Sequence, residues 1–364
     1  MIWLLATLAW ATIDVPHLNG IFVSINANTS MWSVTEWIRD MQSMKDVGMT
    51  FFVVAHVAVG LSNATNTCPT GTYESWFPFD SNACFTQVGD TKSPGGTLGN
   101  ILRAAAAVDL PVHIGLGLNS LYRGGASGEE YAWMTEWGAK AMAQTQKEIA
   151  QQVWKLANAS AHISGFYTVI EENNGKMYMS SMYTFATHFL NPLAADLKML
   201  RADLLVWSSP YGAMNRTRYP ATQWLPPAVY ASVWEAGYLW APSFDLVAQQ
   251  DSMGALLNSY TDVAEVLGNL SATSRRQQRQ LWTNVELFEV WPPECEWPSV
   301  CHGRHPAPFD RIQQQLANEA AIVAPNGGQL IAWEWSSCLT PNGGNAWPNE
   351  TKANYEAYRA YLGL

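Results

Sequence analysis

The chain has 364 residues, of which 48% are hydrophobic and only 14% are charged. This composition is typical of a globular protein with a large core, and it excludes an intrinsically disordered chain. The formal net charge of −10 argues against nucleic acid or an anionic membrane surface as a partner, because both repel an acidic protein.

The first eleven residues, "MIWLLATLAWA", form an apolar run that ends in the small-x-small motif Ala9-Trp10-Ala11. The run is too short to cross a bilayer, so we predict a signal peptide over residues 1–11 and one domain over residues 12–364. A buried N-terminal segment is the alternative. Six N-x-S/T sequons agree with a secreted, extracellular glycoprotein. They begin at Asn28, Asn63, Asn158, Asn215, Asn269 and Asn349.

Eight short runs rich in Val, Ile and aromatic residues have the composition of buried β-strands. Helical patterns separate them, and the first helix begins with the capping box Ser33-Val-Thr-Glu36. Because parallel neighbours need a crossover, the alternation predicts an α/β fold that closes as a (β/α)8 TIM barrel. An open doubly wound sheet is the alternative, although no G-x-G-x-x-G or P-loop follows the first strand. The predicted strands span 19–25, 50–57, 111–118, 165–170, 203–210, 229–236, 280–288 and 328–336.

The longer helical patterns lie between these strands and include 129–157, 181–201, 244–268 and 307–323. Two enlarged βα loops, 58–96 and 290–306, follow predicted strands, so we expect them at the C-terminal face, where barrel active sites are built. In an oxidising compartment, the nearest cysteines within each loop would form a disulfide bond. The pairs are Cys68 with Cys84 and Cys295 with Cys301, and Cys338 is left over.

Several predicted strands carry a glutamate near their C-terminal end. In the seventh strand, "LWTNVELFE", alternation puts Asn284 and Glu286 on the face that points into the barrel mouth, whereas Glu289 ranks lower. An ionised carboxylate in an apolar core is costly, so such groups are normally paired, moved to the surface or used. Acids at the C-terminal ends of several strands therefore predict a functional site at the barrel mouth. The other strand-end acids are Glu171 directly after the fourth strand, Glu235 in the sixth and Glu334 in the eighth.

Two opposed carboxylates are what glycosidic cleavage requires, since one protonates the leaving oxygen and the other attacks the anomeric carbon or activates water. We predict Glu171 as acid/base and Glu286 as nucleophile, at the strand ends that many retaining barrel glycosidases use. A solvated loop acid is the alternative for Glu171, and a buried structural acid tied to Asn284 or an Arg is the alternative for Glu286. Glu235 and Glu334 are predicted to bind hydroxyls or to tune pKa values.

The chain is rich in aromatic residues, and an exposed Trp ring in a cleft can stack on the face of a sugar. An inward-pointing His113 could bind a hydroxyl, although a lone strand histidine is more often a hydrogen-bonded core residue. The sequence has no H-E-x-x-H helix and no Cys/His quartet, so we expect neither a metal nor a cofactor. The predicted substrate-binding residues are Asn284, Glu235, Glu334, His113, Trp291, Trp335 and Tyr167.

The residue pattern resembles the barrel family known as domain of unknown function 4434, which is filed near the glycoside hydrolases. The stretches that carry the resemblance are "GIFVSI", "WIRDMQSMKDVGMTFFVV", "ILRAAAAVDLPVHIGLGL", "ISGFYTVIEENN" and "LWTNVELFE", in this order over most of the chain. The resemblance implies a glycoside hydrolase-like TIM barrel with Glu171, not Glu172, at the family's acidic position. At the sixth strand the family tends to show Gln-Asp-Gly, whereas the predicted sixth strand here carries Trp234-Glu235-Ala236.

The sequence therefore predicts a secreted, monomeric glycoside hydrolase that acts on a poly- or oligosaccharide, with a retaining mechanism favoured. A non-catalytic carbohydrate-binding TIM barrel is the alternative, because aromatic stacking on sugar does not require two opposed acids.

Overall fold

The computed structural model describes residues 15–61, 68, 70–80, 83–118, 135–156, 162–171, 183–215, 225–238, 245–291, 303–342 and 346–364. The predicted signal peptide and the predicted Cys295–Cys301 pair lie outside these residues.

Eight parallel strands close into a barrel, in which the first strand pairs with both the second and the last. Each strand is short and almost wholly buried, which is typical of a parallel sheet covered on its outer face by helices. The predicted fold class is therefore confirmed. In barrel order the strands are β1 (Gly20–Val23), β2 (Phe51–Val54), β6 (Val112–Gly115), β8 (Ile163–Thr168), β9 (Leu205–Ser208), β10 (Leu246–Gln250), β11 (Gln280–Glu286) and β14 (Leu330–Trp333).

Helices surround the barrel. The predicted capping box starts the first of them: Ser33 accepts a hydrogen bond from the Glu36 N–H, and the Glu36 carboxylate accepts one from the Ser33 N–H. None of the helices that the structure describes is both long enough and apolar enough to cross a membrane. The helices are α1 (Val34–Asp46), α2 (Gly96–Val108), α3 (Glu136–Leu156), α4 (Asn191–Leu200), α5 (Pro227–Val233), α6 (Tyr260–Arg276), α7 (Phe309–Val323), α8 (Trp335–Cys338) and α9 (Pro348–Tyr361). Shorter segments are the 3-10 turns Thr29–Met31 and Ala324–Asn326 and the π-helical turns Ala186–Leu190 and Trp234–Tyr238.

The enlarged βα loops carry additional strands at the C-terminal face. A four-stranded sheet has the order β5–β4–β3–β7, and an antiparallel hairpin joins β12 to β13. The predicted Cys68–Cys84 disulfide is present in the first of these loops, and Cys338 is buried and unbridged, as predicted. The extra strands are β3 (Ala58–Gly60), β4 (Tyr73–Ser75), β5 (Phe85–Gln87), β7 (Gly117–Leu118), β12 (Phe288–Trp291) and β13 (Gly303–Pro306).

The sixth barrel strand does not lie where the sequence pattern predicts it. The predicted strand 229–236 is helical, because Pro227 at the first helical position favours helix initiation. The true strand, β10, lies within the stretch 244–268 that was predicted as a helix. All five of its residues are buried, so it lacks the alternation that marks a half-exposed strand. Its two glutamines, Gln249 and Gln250, are satisfied by internal hydrogen bonds.

Asp40 of α1 ties this helix to the segment that follows the last barrel strand. Its buried carboxylate accepts hydrogen bonds from Trp335 Nε1 at 2.9 Å, Thr340 Oγ1 at 2.9 Å and Asn342 Nδ2 at 2.8 Å. The structure places Trp335, a predicted substrate-binding residue, in the core and not in an open cleft. Its ring is fully buried in the core, edge-on to Tyr355 of α9, and its polar atom is bonded to Asp40.

Replacing this acceptor should weaken the fold. We expect Asp40→Ala to lower the free energy of unfolding by about 2–4 kcal/mol, because it leaves the buried Trp335 N–H without an acceptor. Chemical denaturation measures the change. Asp46→Ala on the same helix, where the side chain is exposed, is the matched control and should have a much smaller effect. Equal stability of the two variants would contradict a bracing role for Asp40.

Candidate active site

A cavity of about 370 Å³ opens where the C-terminal ends of the barrel strands converge. Strand ends of β8, β10, β11 and β14 supply side chains to it, and the β12–β13 hairpin forms part of its wall. Its lining combines acids, an amide, a cation and aromatic rings, which is the mixture expected of a site for a polar small molecule. Chief among the lining residues are Tyr167, Glu171, Gln250, Glu286, Arg304 and Trp333.

The two predicted catalytic acids lie in this one cavity. Glu171 follows β8, and its Oε1 accepts a hydrogen bond from Gln250 Nε2 at 3.0 Å. Glu286 is the last residue of β11, and its Oε2 accepts a hydrogen bond from the Ala255 N–H at 2.8 Å. The structure thus orients each carboxyl group through a neighbour from β10 or from the loop that follows it.

Burial changes the protonation of both acids. Desolvation raises the pKa of Glu171, and the hydrogen bond from Gln250 and the charge of Arg304 act in the opposite direction. Desolvation also raises the pKa of Glu286 to about 8, and the nearby Asp251 carboxylate adds to this effect. A buried carboxyl group that holds its proton more tightly can serve as a general acid, whereas one that acts as a nucleophile must first ionise.

The loop after β10 wraps around Glu286. The Asp251 N–H donates to the Asn284 carbonyl at 3.0 Å, and Asp251 Oδ1 accepts from the Glu286 N–H at 3.2 Å. Gly254 passes so close that a Cβ there would lie 2.2 Å from the Phe288 carbonyl oxygen, so only glycine fits. The loop therefore fixes the backbone of Glu286 and supplies the Ala255 N–H to its side chain.

The end of β10 carries the residues that correspond to the sixth-strand pattern of the family. The residues at the end of the sixth strand are Gln250 and Asp251, so the expected Gln-Asp pair is present. Ser252 stands where glycine was expected, and its φ of 55° lies in the left-handed region that favours glycine. The sequence reasoning missed Gln250 and Asp251 because it assigned this segment to a helix.

Arg304 is a further site residue that the sequence pattern does not indicate. It lies on β13, and its guanidinium carbon is 4.2 Å from the centre of the Phe288 ring. Its charge lowers the pKa of both cavity glutamates, although desolvation outweighs it. Its place in the long loop 290–306 was the available signal, because that loop was expected at the barrel mouth.

Of the remaining predicted substrate-binding residues, Tyr167 lines the cavity. Asn284 is buried in β11 and uses its Nδ2 to bind Ser209 Oγ at 2.9 Å. Glu334 lies just after β14 and accepts a hydrogen bond from Ser337 at 2.6 Å, while its second oxygen is buried and has no hydrogen-bond partner in the described part of the chain. The side chain of Trp291 lies outside the described part of the chain.

Like Trp335, the predicted residues Glu235 and His113 do not line the cavity. Glu235 is in the helical layer, where both of its carboxylate oxygens bind Arg276, at 2.6 and 2.8 Å, so the prediction that it faces the mouth is wrong. His113 does point into the barrel, but it is buried among aromatic rings, and its Nδ1 accepts from Trp207 Nε1 at 3.0 Å. Burial lowers the pKa of His113 to about 3. It is therefore a neutral core residue rather than a hydroxyl-binding group.

Comparisons with known proteins agree with this architecture. The family model described as domain of unknown function (DUF4434) matches residues 18–344. The fold is similar to that of a candidate alpha-L-fucosidase from Bacteroides thetaiotaomicron VPI-5482, with a TM-score of 0.69, 16% identity and 96% of each chain covered. It is also similar to that of the endo-1,4-beta-mannanase from Rhizomucor miehei, with a TM-score of 0.56, 12% identity and 95% of each chain covered. At these identities the likeness shows the fold alone. A search of curated proteins finds no match.

The raised pKa of Glu286 predicts a pH-dependent difference in stability. Between its unfolded pKa and about pH 8, Glu286 is protonated in the folded state and ionised in the unfolded state. The stability that this bound proton contributes is complete below the unfolded pKa and is lost as pH rises through about 8. Glu286→Gln cannot ionise. We therefore expect its stability relative to the unmutated protein to increase, by up to a few kcal/mol, between about pH 5 and about pH 9.

Thermal unfolding of both proteins across this pH range measures the difference. Glu289→Gln is the matched control, since this acid lies on the neighbouring strand β12 and does not line the cavity. A constant offset between Glu286→Gln and the unmutated protein at every pH would contradict the raised pKa.

Proposed function

This chain belongs to the DUF4434 family, and we propose that it is a glycoside hydrolase that cleaves a poly- or oligosaccharide with Glu171 and Glu286. The observation that carries the proposal is that these two acids, from the ends of the fourth and seventh barrel strands, line the same cavity. Two carboxyl groups on either side of a sugar are the minimum machinery for glycosidic hydrolysis. The fold is one that glycosidases use, which supports the proposal without naming a substrate.

In the proposed reaction, Glu171 begins protonated and donates to the leaving glycosidic oxygen. Burial favours this state by raising its pKa. Glu286 attacks the anomeric carbon as a carboxylate and forms a glycosyl-enzyme intermediate. Glu171 then removes a proton from the water that releases the sugar, so the anomeric configuration is retained.

Glu286 must lose its proton before it can attack. The Ala255 N–H and the charges of Arg304 and Arg311 favour its ionised form. The positive charge that develops on the sugar ring favours it further. Because the pKa of Glu286 is raised to about 8, the first step should speed up as pH rises toward that value for as long as Glu171 keeps its proton.

The sugar itself would contact the remaining lining residues. Trp333 is half-buried at the end of β14 and offers a ring for stacking. The Tyr167 hydroxyl and the Arg304 guanidinium can bind sugar oxygens. Asn284, Glu334 and Trp291 remain candidate sugar-binding residues.

A non-catalytic carbohydrate-binding barrel is the second candidate. The observation that favours it is the raised pKa of Glu286, because a protonated carboxyl group binds hydroxyls but does not attack carbon. Turnover by the unmutated protein separates the two candidates.

Variants of the two acids test the proposed roles. We expect Glu171→Ala and Glu286→Ala to lower turnover of an activated glycoside by roughly 10²-fold or more. Added azide should restore turnover in both, with opposite stereochemistry. In Glu171→Ala it attacks the glycosyl-enzyme and gives a product of retained configuration. In Glu286→Ala it attacks the substrate directly and gives an inverted product.

The measurement is turnover on a panel of aryl glycosides, with NMR of the azide products. Glu235→Gln, which alters an acid bound to Arg276 outside the cavity, should keep full activity. Unchanged turnover in either cavity variant would refute its role. Binding of glycans by the unmutated protein without any turnover would establish the second candidate instead.

We also propose that the protein is secreted, which the Cys68–Cys84 disulfide and the sequons support. Asn349 is exposed at the start of α9, where an oligosaccharide chain could attach. Expression in a eukaryotic secretory host should give a protein whose mobility on gel electrophoresis increases after removal of N-glycans. Asn349→Gln should remove part of this change, and Asn326→Gln, outside any sequon, should not. An unmutated protein without N-glycans would contradict the proposal.

A further inference from the structure

One face of α7 carries three polar residues at intervals of four: Arg311, Gln315 and Glu319. Residues at this spacing share one face of a helix. Gln315 and Glu319 are almost completely buried, and all three reach the back of β11 or its neighbours. Apolar residues normally fill such a position, so the polar side chains need a physical explanation.

Their contacts converge on the backbone that carries Glu286. Arg311 Nη2 donates to the Glu286 carbonyl at 2.9 Å and also to the Phe288 carbonyl. Gln315 Nε2 donates to Asp251 Oδ2, while Asp251 Oδ1 accepts from the Glu286 N–H. Asp251 thus connects α7 to the residue proposed as the nucleophile.

Glu319 completes the network. Its Oε2 accepts a hydrogen bond from Thr283, and its side chain lies within hydrogen-bonding reach of Asp251. Its Oε1 is buried and finds no hydrogen-bond donor among the residues that the structure describes. Two ionised carboxylates cannot share so dry a space. A proton on Glu319 turns an oxygen that lacks a donor into a donor to Asp251.

We propose that Asp251 and Glu319 share one proton and keep a single negative charge behind Glu286, so that Asp251 is a positioning residue for that glutamate. The proton resides on Glu319, and Asp251 accepts it as a hydrogen bond. The catalytic meaning of this pair rests on the proposed function, but its existence does not.

The charge has a definite chemical effect. Burial raises the pKa of Asp251 and of Glu319, and the charge of Asp251 raises the pKa of Glu319 further. The charge left on Asp251 also raises the pKa of Glu286. A carboxylate of higher pKa is a stronger base and a stronger nucleophile once ionised. The pair therefore makes Glu286 harder to ionise but more reactive once it is ionised.

Other charged and titratable groups face this network. Arg311 of α7 acts on both Asp251 and Glu286, and Arg304 of β13 acts on Glu286. Tyr260 of α6 adjoins the same cluster, and burial raises its pKa, so it stays neutral. With the pair holding one negative charge, Arg311 is its adjacent cation.

Carbon-13 NMR of protein labelled at the glutamate carboxyl carbons tests the proposal without any substrate. The Glu286 signal is the one that Glu286→Gln removes. We expect Glu319→Gln to leave the titration midpoint of Glu286 unchanged, because the amide donates to Asp251 as the protonated acid does. Adding Asp251→Asn to Glu319→Gln should move that midpoint to lower pH, because the negative charge is gone while the Glu286 N–H keeps its acceptor.

Each result decides one part of the proposal. A lower Glu286 midpoint in Glu319→Gln alone would show that Glu319 carries a charge of its own, and it would overturn the shared proton. An unchanged midpoint in the double variant would overturn the action of Asp251 on Glu286. If the double variant does not fold, Glu319→Gln alone still decides the shared proton, and Asp251→Asn alone is then titrated for the second part. Expected midpoints in a protein without turnover on any glycan would support the pair and reject the hydrolase.

Discussion

Closure of the barrel between β1 and β14 is the constraint on which the rest of the structure depends. A parallel barrel brings the C-terminal ends of all its strands to one rim, however far apart the strands are in sequence. Glu171 and Glu286 meet in one cavity for this reason. The Asp40 hydrogen bonds help to hold the closing junction, because they join α1 to the segment after β14.

The electrostatics of the rim follow from desolvation. The barrel interior below the cavity is filled by aromatic rings, among them Phe22, Trp207 and Trp282, so little water reaches the acids from beneath. Both cavity glutamates consequently hold their protons more tightly than they would in water. Arg304 opposes this from the solvent side. The opposing effects of desolvation by the aromatic core and of the Arg304 charge determine which acid is ionised at a given pH.

The loop after β10 turns this general environment into a specific geometry. Around Glu286, the Asp251 side chain accepts its N–H, Gly254 approaches closely and the Ala255 N–H donates to its carboxyl group. Such contacts come from main-chain atoms and buried groups, which cannot move far. A carboxyl group held in this way loses little conformational freedom when a substrate binds.

The barrel class, the acidic rim and both proposed catalytic residues could be predicted from the sequence, because strand and helix periodicity and the alternation of side chains are local properties of the chain. The position of Glu286 at the mouth follows from the polar residues that alternate along β11.

The sixth strand could not be placed in this way, because β10 is buried on both faces and its polar residues are satisfied by partners distant in sequence. The sequence pattern puts Glu235 at the mouth because it predicts a strand over residues that are helical. It puts Trp335 there because this residue follows directly after a barrel strand, although the chain turns into the outer core at that point. Only the tertiary structure brought Gln250, Arg304 and the Asp251–Glu319 pair to Glu286, because hydrogen bonding and desolvation depend on neighbours that folding alone selects.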